Sequence, residues 1–251
     1  MALDNQVCII TGGGSGMGKA TAFTMAQEGA KVVLFGRTES KVAAVAEEVR
    51  DQGGTAKAYG VDVADHDAVF GAIGDTLDSF GRVDVLVNSA GHSSPHRKLL
   101  TTTPEEVQSV IDSNLVGTIY CTQAVMPAML EADSGTIVNI SSLAGVTPGL
   151  LGGMIYSAVK AAVINFTGFL NDEFKDTGVR ASCVIPGEVD TPILDNRPVV
   201  PDASARATMV TSEDVAEAIT LIARLPQKSN IPELVIRPTT ARDTSGEVGT
   251  A

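Results

Sequence analysis

Residues 7–18 read Val-Cys-Ile-Ile-Thr-Gly-Gly-Gly-Ser-Gly-Met-Gly, and this stretch decides the fold. Val7–Ile10 is a short apolar run of strand character, and a segment of helical period opens directly after Gly18. A glycine-rich turn between a strand and a helix leaves bare backbone against which a pyrophosphate can lie. It also aims the first N–H groups of the helix at that charge. Gly12, Ser15, Gly16, Met17 and Gly18 are therefore the expected phosphate-side residues of a dinucleotide site.

Outward from that turn, β-branched runs alternate with helical segments, the pattern of β-α-β units around a parallel sheet. Strands are predicted at Val7–Ile10, Lys31–Phe35, Thr55–Gly60, Val83–Val87, Gly135–Ile140, Val179–Ile185 and Glu233–Arg237. Helices are predicted over 16–29, 39–53, 66–80, 104–131, 156–177 and 212–225. The fold class is α/β, a doubly wound parallel sheet of about seven strands with helices on both faces. No repeat or linker divides the chain, so residues 1–251 read as one domain. The polar tail 239–251 has little to bury and is expected to be mobile. The second strand ends Leu34-Phe35-Gly36-Arg37-Thr38. An NAD-preferring site usually carries an acid here, about twenty residues after the glycine motif. Gly36 stands at that place, and Arg37 offers a guanidinium for a 2′-phosphate, so NADP is expected over NAD.

Composition removes other classes. With 44% apolar residues in 251, a sizeable core can form. With 18 basic residues against 30 acidic ones, for a net charge of −12, a nucleic-acid partner is not expected. Three cysteines, Cys8, Cys121 and Cys183, lie in apolar stretches and read as reduced core thiols. The three histidines show no metal-binding spacing, so no metal is expected. The first residues lack a basic region followed by an apolar run, and the apolar region 135–174 is interrupted by Asn139, Ser141, Ser142, Pro148, Tyr156 and Lys160. The reading is a cytoplasmic protein without a membrane span.

A second constellation is Tyr156-Ser157-Ala158-Val159-Lys160. Residues four apart share a helix face, so the Lys160 ammonium can lie near the Tyr156 phenol and lower its pKa, making a usable proton carrier. Upstream, Ser141 and Ser142 follow a strand of the same sheet, at the carboxyl edge where such sheets place ligands.

Together these residues resemble the short-chain dehydrogenases/reductases across about residues 5–237. The motifs fall in the family's order: Thr11 to Gly18, Asp62-Val63, Asn88-Ser89-Ala90-Gly91, Asn114, Ser142, Tyr156 with Lys160, and Pro186-Gly187 followed by Thr191. The resemblance implies a single-domain Rossmann fold and oxidation of an alcohol or reduction of a carbonyl. It makes Tyr156 the acid/base, with Ser142 binding the substrate oxygen. Lys160 would tune the tyrosine and hold the nicotinamide ribose, and Asn114 would anchor a water leading to solvent. Asp62 and Val63 would contact adenine, and Asn88, Ala90 and Gly91 would back the adenosine ribose. Pro186, Gly187, Val189 and Thr191 would lie on the nicotinamide side, the last two holding the carboxamide. Ser142 is preferred to Ser141 because it stands three residues before Gly145.

Two stretches depart from the family pattern. Ser89 replaces the usual second Asn, and residues 229–238 lean toward the branch acting on β-hydroxy acids and small hydroxy-amino acids. Residues 191–211 make a short, irregular flap. His92, His96, Arg97, Glu188 and Arg197 are candidates for recognising a polar group of the substrate. The expected substrate is a free small-molecule carbonyl or alcohol. A 3-oxoacyl-(carrier protein or CoA) reductase is the alternative, disfavoured by acidic stretches 129–133 and 171–176 that would repel an acidic carrier. A cofactor-binding protein without turnover is a minor alternative. A sugar-nucleotide epimerase would need a further substrate domain. Apolar residues on several faces of 104–131 and 156–177, among them Val110, Val116, Val125, Met129, Val163, Phe166 and Phe169, point to a homotetramer or homodimer.

Overall fold

The structure is a computed structural model describing residues 1–247. Its strands are β1 (Val7–Thr11), β2 (Lys31–Gly36), β3 (Thr55–Gly60), β4 (Val85–Asn88), β5 (Gly135–Ile140), β6 (Val179–Pro186) and β7 (Glu233–Ile236). They form one sheet in the order β3-β2-β1-β4-β5-β6-β7, with every neighbouring pair parallel. The helices are α1 (Gly16–Gln27), α2 (Glu39–Asp51), α3 (His66–Phe80), α4 (Pro104–Ile111), α5 (Gly117–Glu131), α6 (Leu143–Val146), α7 (Met154–Glu173), α8 (Ala203–Arg206) and α9 (Ser212–Arg224).

Side-chain alternation along the strands divides the core in two. Ile10, Leu34, Val87, Val138 and Val184 pack beneath Met25 of α1, Val42 of α2 and Ile219 of α9. Ile9, Val33, Leu86, Ile137 and Ala181 face the other way, onto Ile73 of α3, Val125 and Met129 of α5, and Leu170 of α7. With both faces covered, the inner strands β1, β4, β5 and β6 are buried along their whole length. Strand order reverses between β1 and β4, which opens a crevice at their carboxyl ends.

The sequence reading needs correction in one place. The predicted helix 104–131 is α4 and α5 joined by a π turn over Asp112–Val116. Asn114 sits inside that turn, and its Nδ2 donates to Val110 O at 2.9 Å, while Thr118 Oγ1 donates to Asn114 O at 2.9 Å. Side chains thus take carbonyls of the helical ladder, the usual cause of such a widening. Two side chains of the tail, Arg242 and Glu247, make ion pairs with the body of the protein. Arg242 pairs with Glu188 at 2.5 Å and also with Glu247, which bonds Arg197 at 3.2 Å. Residues 248–251 of that predicted tail lie outside the described residues. The flap contains a 3₁₀ turn at Pro192–Asn196 and the short α8.

Arg180 of β6 is buried and closes the end of α9. Its guanidinium donates to the carbonyls of Ile222, Leu225, Pro226 and Ser229 and, through Nε, to Thr136 Oγ1 at 3.0 Å. Arg180→Met leaves several buried acceptors without donors. It should lower the unfolding free energy by about 2–4 kcal/mol in a denaturant titration.

Candidate functional site

Two cavities open along the carboxyl edge of the sheet. The first, of about 200 Å³, lies over β1, β2 and β4 and is lined by Gly12, Gly14, Ser15, Gly36, Arg37, Lys41, Asp62, Val63, Ala90, Gly91, His92 and Ser113. Its floor is backbone because side chains are excluded. Gly12 has φ +68°, and a Cβ there would stand 3.0 Å from the Ala90 backbone. A Cβ on Gly18 would be 2.4 Å from Gly12 O, so α1 starts hard against the turn. Thr11 Oγ1 accepts the N–H groups of both Ser89 and Ala90 at 3.0 Å, locking the loop after β4 to the end of β1.

A Cβ on Gly36 would meet Val42 at 2.8 Å, which leaves no space for an acidic side chain at that position. Arg37 and Lys41 stand beside it, and no carboxylate pairs with Arg37 among the described residues. A glycine cradle at a helix start with two cations beside the second strand fits an adenine dinucleotide. Lys41 was absent from the sequence reading; its position one turn into α2, four residues after Arg37, is the signal that could have found it. His92 is held by Ser113 Oγ at 2.9 Å and Ser109 Oγ at 3.1 Å. Burial, followed by the charge of Arg37, pushes its imidazole below the usual pKa.

The second cavity, of about 510 Å³, lies over β5, β6 and β7. Met17, Ser142, Tyr156, Pro186, Gly187, Val189 and Thr191 line it, together with Arg97, Glu188, Arg197 and Arg242. Other site residues from the sequence reading line neither cavity. Asn88 is buried, and its amide clamps Asn139 Oδ1 at 2.9 Å across β4 and β5. Gly16 and Gly18 form the turn behind the first cavity. Asn114 lies behind the loop that lines the first cavity, its Nδ2 donating to His92 O at 2.9 Å, and Lys160 packs against Tyr156 of the second. His96 is turned away and pairs with Glu106 of α4 at 2.8 Å.

The placement of Ser142 follows from packing. A Cβ on Gly145 would lie 2.6 Å from the Lys160 carbonyl carbon, so α6 rests directly on the backbone of α7. Ser141 Oγ donates to Lys160 O at 2.7 Å and is committed there. Ser142 caps α6, accepting from Ala144 N at 3.2 Å, and its side chain lines the cavity beside Tyr156.

Removal from water raises the Tyr156 pKa, and what opposes this is the Ser142 hydroxyl, then the guanidiniums of Arg97 and Arg197. Lys160 lies on the same helix face as the phenol. Its Nζ lies 5.5 Å from the tyrosine ring centroid and donates to Ile140 O at 2.9 Å. Burial pushes its own pKa down to about 8. Asn114 Oδ1 is buried without a partner among the described residues, 2.3 Å from where a Cβ on Gly91 would stand. Arg242 and Glu247 were absent from the sequence reading; their charges complement Glu188 and Arg197.

A family model described as short chain dehydrogenase matches residues 6–199. An uncharacterised oxidoreductase of Staphylococcus saprophyticus is 38% identical over 239 residues, 94% of this chain and 98% of the relative. Among solved structures, a closed form of serine dehydrogenase complexed with NADP+ superposes with a TM-score of 0.87 at 30% identity, covering 95% of this chain and 97% of that one. A metagenomic short-chain oxidoreductase in complex with NADP gives 0.83 at 32% identity, covering 96% and 100%. No helix among the described residues is long and apolar enough to cross a membrane.

The depressed Lys160 pKa makes stability depend on pH with a definite sign. Below about 8 the folded protein carries a buried charge that the unfolded chain hydrates without cost. Between about 8 and 10.5 the unfolded chain binds the proton and the folded one does not, so this residue's contribution to stability rises with pH. The stability of the wild type relative to Lys160→Met should therefore rise by on the order of 2–3 kcal/mol between pH 7 and pH 10, measured by denaturant unfolding at both values.

Proposed function

The chain belongs to the short-chain dehydrogenase family, and from that premise we propose an NADP(H)-dependent oxidoreductase that interconverts a secondary alcohol and a ketone on a small molecule. The observation that carries this reading is the facing of Tyr156 and Ser142 across one cavity, with buried Lys160 behind them. The bound nicotinamide would supply the hydride chemistry. Everything else is work for this chain's residues.

Ser142 Oγ, oriented by its cap on α6, donates a hydrogen bond to the substrate oxygen and holds it beside the phenol. The Tyr156 hydroxyl gives its proton to that oxygen in reduction and takes one in oxidation. Arg97 and Arg197 favour the phenolate form, which burial opposes, so the proton can leave in either direction. Lys160, with a pKa near 8, is poised to pass a proton at neutral pH, and the unpartnered Asn114 Oδ1 supplies the acceptor for a water behind it. Gly12 and Ser15 would seat the phosphates. Arg37 with Lys41 would bind a 2′-phosphate, and Asp62 and Val63 the adenine.

The rival 3-oxoacyl carrier substrate meets exposed acidic groups, Glu131, Asp133, Asp172, Glu173 and Asp176, at the ends of α5 and α7. Like charge there opposes an acidic carrier. Phe169 of α7 is exposed, and a second copy covering it fits a homodimer or homotetramer.

Tyr156→Phe should lower kcat by about 10²–10⁴ while NADPH still binds, as read by nicotinamide fluorescence. Undiminished turnover would end this reading. Arg37→Ser should reduce kcat/KM with NADP by about tenfold or more and leave the NAD value nearly unchanged.

A further inference from the structure

The substrate cavity is electropositive in a protein whose net charge is −12. Four arginines line it, Arg97, Arg197, Arg237 and Arg242, against one carboxylate among the described residues, Glu188. Two of them are balanced. Arg197 and Arg242 each pair with both Glu188 and Glu247, a closed ring of four charges that sums to zero. Arg237 is exposed, and water screens it.

Arg97 is different. It is only 8% exposed, and no carboxylate pairs with it among the described residues. Nη1 donates to the carbonyl of Leu151, and Nε is buried with no partner. The residue is held in place from behind. Its carbonyl accepts from Met154 N at 3.0 Å, and its Cβ and Cγ lie where only Gly153, at φ +86°, leaves room for them. A fixed, buried and uncompensated guanidinium costs folding energy unless an anion meets it. Burial and the repulsion of Arg197 both disfavour its charge, yet a guanidinium stays protonated at neutral pH.

We propose that Arg97 anchors a carboxylate of the substrate, so that the molecules oxidised and reduced in this cavity are short hydroxy acids and their oxo acids. This rests on Tyr156 serving as the acid/base in the same cavity. The planar guanidinium suits a carboxylate through paired hydrogen bonds, and Arg97 lines the same cavity as Tyr156 and Ser142, so carboxylate and carbinol belong to one short molecule. The carboxylate takes no part in the redox step. The carbinol carbon loses hydride to NADP+, its hydroxyl proton leaves through Tyr156, and the oxo acid results. Turning carboxylate and carbinol toward different residues also fixes which face of the carbinol is presented.

The test compares kcat/KM for 3-hydroxybutanoate and 2-hydroxybutanoate with their methyl esters, using NADP+. The wild type should prefer an acid over its ester by at least about tenfold. In Arg97→Met that ratio should collapse toward one, mainly through a higher KM for the acid, and Arg97→Lys should restore part of it. Inhibition of ester turnover by butanoate but not by butanamide gives the same answer on the wild type, should a variant fail to fold. Equal turnover of acid and ester by the wild type, or an equal loss of both in Arg97→Met, overturns the assignment of Arg97 alone. Preference for a phosphomonoester of a hydroxyalkane over the acids overturns the carboxylate. Absence of NADP-linked turnover across acids, esters, simple secondary alcohols and ketones defeats the Tyr156 reading and this inference with it.

Discussion

Lys160 is tied to β5 at both ends, and the geometry of the site descends from that double attachment. Its Nζ reaches the last carbonyl of β5, Ile140, while its own carbonyl receives the hydroxyl of Ser141, the next residue along. A helix fixed to a strand end in this way can neither slide nor turn. Tyr156, one turn earlier on α7, and Ser142, one residue after Ser141, are therefore set against each other by buried bonds. Gly145 completes the fit by letting α6 touch the backbone of α7. In a low-dielectric surrounding such bonds are stiff, and leaving one unmade is expensive.

The fold was readable because it depends on period and punctuation. Seven β-branched runs gave seven strands with ends within two residues, and the glycine turn after the first marked the crevice at the strand-order reversal. The spacing to Gly145 that favoured Ser142 over Ser141 has a packing counterpart in the close approach of α6 to α7. The π turn was not readable. Nothing in the hydrophobic pattern of residues 104–131 distinguishes one widened turn from a continuous helix, because the cause is side-chain hydrogen bonding by Asn114 and Thr118.

Electrostatics was the least legible level. Four-residue spacing correctly put Lys160 on the same helix as Tyr156, but spacing says nothing about which carbonyl captures the ammonium. Two further cations share the cavity with the phenol, Arg97 and Arg197, far apart in the chain and set in place by the loop after β4 and the flap. The ion pairs of the tail were out of reach for a related reason: composition described a polar segment, whereas the partners of Arg242 and Glu247 lie 54 and 50 residues upstream.

The widened turn at Asp112–Val116 has a consequence for how this segment can vary. A π turn accommodates one residue more than regular α winding, and one residue corresponds to about 100° of rotation around the axis. Val110 before the turn and Val125 and Met129 after it are all buried, so the widened turn absorbs the extra residue locally and spares the downstream half a rotation that would carry its apolar face off the core. A chain shorter by one here would close the turn into ordinary α winding and keep the same face inward, whereas the same deletion elsewhere in α5 would swing that face around.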